Sequence, residues 1–123
     1  MVLLVDLSEE ERSIYEKIRQ EARQDIEKKE AFQLLAHLTR LRQACCHPRL
    51  LMKNRRQESS KVAALLELVD DLRSGNHRAL VFSQFTSFLD LVEEQFQRHE
   101  VSYLRLDGST SSEDRRRRVQ SFQ

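Results

Sequence analysis

Apolar residues recur mainly at three- and four-residue intervals, which predicts helices along most of the chain. An apolar run at 2–5 reads as a short strand. Ser8-x-x-Glu11 then forms a capping box, and Glu9 and Glu10 suit the positive end of a helix. The helix at 9–29 carries Ile14, Ile18, Ala22 and Ile26 in a narrow stripe beside Tyr15, so most of its charge is a solvated face. A stronger helix follows at 31–47, where Leu34, Leu38, Leu41 and Cys45 form a stripe that Phe32 and Leu35 widen. Pro48 ends it, because the residue before proline avoids the α region. Residues 53–60, KNRRQESS, are polar and aperiodic, and read as a linker. Ser59 or Ser60 can cap a helix at 61–73 with Val62, Leu65, Leu66, Val69 and Leu72 as its core face. Gly75 stands where a left-handed C-cap residue belongs.

The pattern changes at residues 79–82. ALVF is continuously apolar, which suits a strand buried on both faces of a parallel sheet. Thr86 and Ser87 stand at a cap position, and Phe85, Phe88, Leu89, Val92 and Phe96 give the helix at 86–99 one apolar face. Residues 101–106 read as a second strand ending at Asp107 and Gly108, and Thr110-x-x-Glu113 is a capping box for a last helix. Strand, helix, strand, helix is a βαβ unit with a right-handed crossover. The expected fold is therefore α/β, with a helical front at 1–58 and a partial parallel sheet at 59–123.

These residues resemble a known family. LVFSQFTSFLDLVEEQF and YLRLDGSTSSEDRRRRVQSFQ look like the start of the second RecA-like lobe of Swi/Snf-type DNA-dependent ATPases, within helicase superfamily two. FSQF matches the helicase motif usually called IV, and LDGSTSSEDR the short motif after the next strand. LTRLRQACCHPRLL resembles the helical stretch before this lobe, and VDLSEEERSIYEKI the segment leading into it. The resemblance covers nearly the whole chain and is specific as an ordered set of motifs. It implies a P-loop NTPase-like second lobe that is truncated after its first third or half.

Composition narrows the rest. With 123 residues the chain suffices for one small domain. Acids and bases nearly cancel at a net charge of +1, so only local clustering can speak for nucleic acid. Two glycines and one proline favour helix-rich structure. No apolar run approaches the ~18 residues of a membrane span, and the N-terminus lacks the pattern of a signal peptide. Cys45 and Cys46 are adjacent, with no other cysteine to pair with, which fits a reducing compartment; no CxxC or second ligand pair supports zinc. His37, alone near the face of the second helix, reads as a structural histidine. Arg40 and Arg42 lie off its stripe, where DNA or only water can meet them.

Catalytic chemistry finds no support in the residues. Gly75 and Gly108 are the only glycines, and neither belongs to a GxxxxGK[ST] loop. A DExH-like magnesium box is also missing. Strand-LDGST resembles a haloacid dehalogenase motif, but its nucleophile position holds Arg105, which cannot attack phosphorus. No GxSxG elbow is present for a serine nucleophile. The resemblance places the nucleotide motifs in the first lobe, and the arginine finger beyond Gln123. It implies ATP and magnesium as cofactors of the intact parent, none held by this stretch, and no ATP turnover by the chain alone.

Nucleic-acid contact is what remains. Gly108 lets backbone approach a ligand, Ser109 and Thr110 add hydroxyls, and a helix N-terminus after them suits phosphate. Ser83 and Gln84 would end the other strand on the same edge of a parallel sheet. The resemblance implies that this edge follows the DNA backbone. The plainer alternative is that the hydroxyls only cap a helix. Arg115 shares a face with Val119 and Phe122, so it should point inward as a structural residue near Asp107. Arg116 and Arg117 should point outward, towards DNA or merely towards solvent.

The expected function is thus a piece of a translocating ATPase motor that touches double-stranded DNA through phosphates, not base edges. Its partners would be DNA and the first RecA-like lobe, with no membrane. A truncated sheet would expose an edge and an apolar face, which a homo-oligomer would cover. Localisation would be nuclear in a eukaryote, or cytoplasmic and nucleoid-associated in a bacterium. The competing reading is a stand-alone helical protein-interaction module.

Overall fold

The computed structural model describes residues 1–28, 33–52 and 58–123. Residues 31 and 32 of the expected second helix, and 53–57 of the expected linker, lie outside the described residues. Among the described residues there are five α-helices, α1 (Glu9–Glu27), α2 (Leu34–Cys46), α3 (Ser60–Ser74), α4 (Thr86–Arg98) and α5 (Ser112–Phe122), with a 3-10 turn at Pro48–Leu50. The chain divides into two compact units, Met1–Phe88 and Leu89–Gln123.

The α/β expectation is overturned: the described residues contain no strand and no sheet. Residues 2–4 and 80–82 are exposed, with Phe82 at 87%. An apolar run permits a strand but does not make one. Its N–H and C=O groups need a neighbouring ladder, and a sheet needs three or more strands, or a covering helix, to be stable. Without a sheet, the edge that would have driven self-association is also missing from the described residues.

In the unit Met1–Phe88, α1 starts as its sequence dictates. The Ser8 side chain accepts from the Glu11 N–H at 3.2 Å, and the Glu11 carboxylate accepts from the Ser8 N–H at 3.0 Å. Ile14, Ile18 and Ala22 are buried, while Ile26 is 54% exposed. Ile14 and Ile18 pack with Ala44 of α2, and Tyr15, Leu41, Leu51 and Met52 close around them. Arg40 of α2 pairs with Glu21 of α1 at 3.0 Å, and the buried His37 with Asp25. Late α1 thus meets early α2, and early α1 meets late α2, so the two helices form an antiparallel hairpin.

This pairing turns α2 away from its expected face. His37 and Ala44 are buried, whereas Leu34, Leu35 and Leu38 are exposed. The histidine is anchored on one side only, since its Nδ1 has no hydrogen-bond partner. His47, at the end of α2, accepts from the Arg49 N–H at 3.1 Å and starts the 3-10 turn through Pro48. Ser59 donates to the Cys46 carbonyl at 2.5 Å and accepts from the Val62 N–H at 3.2 Å, closing α2 and capping α3 with one side chain. Val62 and Val69 are the buried positions of α3.

The end of α3 corrects another expectation. Gly75 has φ −86°, and the left-handed residue is Asn76 at φ 56°. The His77 N–H bonds to the Leu72 carbonyl and the Asn76 N–H to the Arg73 carbonyl, the pair of bonds that defines a Schellman end. Helix α4 ends the same way. Val101 bonds to Phe96 and Glu100 to Gln97, with Glu100 at φ 54°.

In the unit Leu89–Gln123, Val92 and Phe96 of α4 are buried, as is Val101. Residues 101–108 are not a strand, yet they alternate. Val101, Tyr103, Arg105 and Asp107 are buried or half-buried, and Ser102, Leu104, Leu106 and Gly108 are exposed. The Tyr103 ring lies 5.8 Å from that of Phe96. Its hydroxyl donates to Glu93 at 2.7 Å and accepts from Gln97 at 3.0 Å.

Candidate functional site

The site residues expected from the sequence fall in both units, and each unit is described by itself. In Met1–Phe88, the segment before α4 holds Ser83 and Gln84. The Ser83 hydroxyl accepts from the Phe85 N–H at 3.1 Å and donates to the Phe85 carbonyl at 3.3 Å, so its proton must rotate away before it can donate to a ligand. Gln84 is exposed. Both line a cleft of about 480 Å³ floored by Tyr15, Leu38 and Leu41.

In Leu89–Gln123, the turn after residue 106 is built around Asp107. Its carboxylate accepts from the Ser109 N–H at 2.8 Å, the Ser109 hydroxyl at 2.5 Å and Arg105 Nε at 3.0 Å. The two Ser109 bonds, with Arg105 behind them, hold the Asp107 carboxyl down at about 2. Thr110 Oγ1 accepts from the Asp107 N–H at 3.0 Å, and the Thr110 N–H donates to the Asp107 carbonyl at 3.1 Å.

The cap of α5 is therefore one residue later than expected. Ser111, not Thr110, accepts from a first-turn N–H, that of Asp114, at 3.1 Å. Gly108 is exposed, and a Cβ built on it would meet nothing within 4 Å. Its φ is not positive, so the backbone here does not require glycine.

The arginines sort differently from the helical-wheel expectation. Arg115 is exposed and not inward, and it donates to the Asp107 carbonyl at 3.1 Å. Arg118 is half-buried and donates to the Arg105 carbonyl. Arg117 is exposed and pairs with Asp114, while Arg116 is exposed. The cause is that α5 buries no residue at all, so Val119 and Phe122 do not fix an inner face.

Arg105 is the residue whose importance sequence reasoning missed. Its guanidinium reaches Asp90 at 2.5 Å, Glu93 at 3.0 Å and Asp107 at 3.0 Å, and these partners, Asp90 first, push its pKa up. A signal existed. Asp90 and Glu93 are three apart on one helix face, and Arg105 and Asp107 are two apart in an extended segment, so each pair shares a side.

Among the described residues no group of three or more His, Cys, Asp or Glu is placed to hold a metal, and neither glycine sits in a phosphate-wrapping loop. No helix among them is long and apolar enough to cross a membrane.

Comparison with known proteins bears on the same stretch. Residues 60–123 match the family model for the helicase conserved C-terminal domain. The chromatin-remodeling ATPase INO80 of Aspergillus oryzae is 47% identical over 66 residues, covering 54% of this chain and 5% of that protein. The protein of the same name from Emericella nidulans is also 47% identical over 66 residues, covering 54% of this chain and 4% of its own length. The DNA repair protein RAD5A of Arabidopsis thaliana is 43% identical over 65 residues, 53% of this chain and 6% of that protein. The matched part is thus a small share of each of these relatives. No solved structure matches.

Proposed function

Because the chain belongs to the helicase conserved C-terminal domain family, in its Swi/Snf-type branch, we propose that it serves a DNA-translocating ATPase as a contact surface for the phosphate backbone of duplex DNA. The observation that carries this reading is the family match over 60–123, a span that holds both Gln84 and the turn from Asp107 to Thr110. Gln84 and Gly108 are exposed, and Gly108 leaves its backbone open to a ligand. Arg116 adds an exposed cation. Ser83, Ser109, Thr110 and Arg117 are second to these, since each already has a partner within its unit.

In this reading the nucleotide and magnesium are held elsewhere in the parent, on a first RecA-like lobe that acts as partner to this one. The relatives named above come from fungi and a plant, and two are called chromatin-remodeling ATPases, which favours a nuclear protein. Nothing in them favours the bacterial alternative. The exposed Leu34, Leu35 and Leu38 of α2 favour a second reading, a helical module that binds another protein.

The test is a salt titration of duplex binding by the chain and by Gln84→Ala, Arg116→Ala and Gly108→Val. Binding should ignore base sequence and weaken with salt, at a log–log slope of about −0.9 per phosphate neutralised. Each variant should weaken it. Unchanged affinity and slope in all three would reject these contacts.

A further inference from the structure

The cleft of the unit Met1–Phe88 holds two cations as well as Ser83 and Gln84: Arg42 from α2 and Lys61 from the first turn of α3. Both are exposed, and neither takes part in an ion pair among the described residues. Three other cations of this unit are matched to acids, Arg19 to Glu16, Arg40 to Glu21 and Arg73 to Asp70, and what sets Arg42 and Lys61 apart is that they share one cleft. Arg40 and Arg42 are two positions apart on one helix, and only the first is neutralised.

Lys61 is also poorly placed for the stability of its own helix. A cation in the first turn is opposed by the helix dipole, and α3 has no acidic residue there to offset it. The carboxylate that does reach this helix end, Glu11, is engaged by Ser60. Lys61 Nζ instead lies 4.0 Å from Cys46 Sγ, a weak acceptor. A site that gathers two uncompensated cations beside an exposed amide side chain is complementary to a polyanion that supplies its own negative charge.

We infer that this cleft is a phosphate subsite, in which Lys61 and Arg42 neutralise phosphates of duplex DNA and Gln84 donates a hydrogen bond beside them. The inference rests on the reading of the chain as a DNA contact surface and adds two residues to it. Cys45 and Cys46 line the same cleft, so their thiols report whether it is occupied.

The experiment uses the full chain, a duplex of arbitrary sequence, and the variants Lys61→Gln and Arg42→Gln. Each variant should make the salt slope shallower by about 0.9, the share of one phosphate. Independently, a saturating duplex should slow alkylation of Cys45 and Cys46 by iodoacetamide at least severalfold in the unaltered chain. Should a variant lose its helical circular dichroism, the thiol protection of the unaltered chain decides. Salt-dependent binding with unchanged slopes in folded variants, or with no thiol protection, overturns the subsite and leaves the wider DNA surface standing. No salt-dependent binding by the unaltered chain removes both.

Discussion

The Glu11 carboxylate accepts from the Ser60 N–H at 3.3 Å and from the Ser60 hydroxyl, joining the start of α1 to the start of α3 across 49 positions of sequence. The same carboxylate completes the capping box with Ser8, and Glu11 is only 1% exposed. One acid therefore satisfies the first donors of two helices. Glu11→Ala removes the one buried acceptor shared by these donors and should destabilise the chain by about 1 to 3 kcal/mol in urea unfolding. A loss under about 0.5 kcal/mol, the level of an ordinary surface change, would contradict the role.

Burial pushes the Glu11 carboxyl up, but the bonds from Ser60 and Ser8 outweigh it and hold it below its ordinary 4.5. Its contribution is therefore complete above that value and disappears as pH falls through the lowered folded value. Glu11→Gln should flatten this acid limb of stability. An unchanged limb would mean that another carboxylate governs it.

Asp107 offers a sharper pH prediction, since its carboxyl is held at about 2 first by the bonds from Ser109. The turn should keep its order throughout the range above the ordinary 3.8 and lose it only as pH falls towards 2. The Ser109 amide shift in an NMR titration should follow that low midpoint. Ser109→Ala removes the hydroxyl bond and should move the midpoint upward; a midpoint already near 3.8 in the unaltered chain would count against the geometry.

Much of the helical part was legible because its signals are local. Ser8 and Glu11 announce α1, Pro48 closes α2, and Ser59 caps α3. The sheet was not, because strand pairing is a relation between distant segments and 79–82 carries no record of a neighbour. The buried face of α2 was also hidden: packing on α1 buries His37 against Asp25 and Ala44 against Ile14 and Ile18, a relation between two helices. At the candidate site, Gln84 and Gly108 were expected as contacts at the ends of two strands; the strands are absent from the described residues, and both positions are exposed. The internal use of Ser109 needed Asp107 to be seen as an acceptor two residues back, the pattern of an Asx turn.

The shift of the α5 cap makes Ser111→Ala the costly change and Thr110→Ala the milder one. Ser111→Ala should lose about 1 kcal/mol. Thr110→Ala gives up one part-buried turn bond, worth about 0.5 kcal/mol. Urea midpoints of the two variants measure the order, and its reversal would return the cap to Thr110.

Glu100 occupies a left-handed position, φ 54°, at the Schellman end of α4. A side chain there costs about 1 to 2 kcal/mol, part of which glycine returns as greater freedom of the unfolded chain. Glu100→Gly should raise stability by about 0.5 to 1 kcal/mol, read as a higher melting temperature. A lower melting temperature would show that the Glu100 side chain makes a contact worth more than the strain.

The alternation along 101–108 makes this stretch intolerant of insertions and deletions. Tyr103 and Arg105 meet α4 because they stand at even steps from Val101, itself fixed by its bond to Phe96. Removing a single residue, Ser102, would shift the frame by one and bring Leu104 and Leu106 to the places of Tyr103 and Arg105. Two leucines would then face Asp90 and Glu93, and those carboxylates would lose their guanidinium. Substitutions at Ser102 or Leu104 leave the frame intact, so sequence drift is expected in the residues of this stretch and conservation in its length.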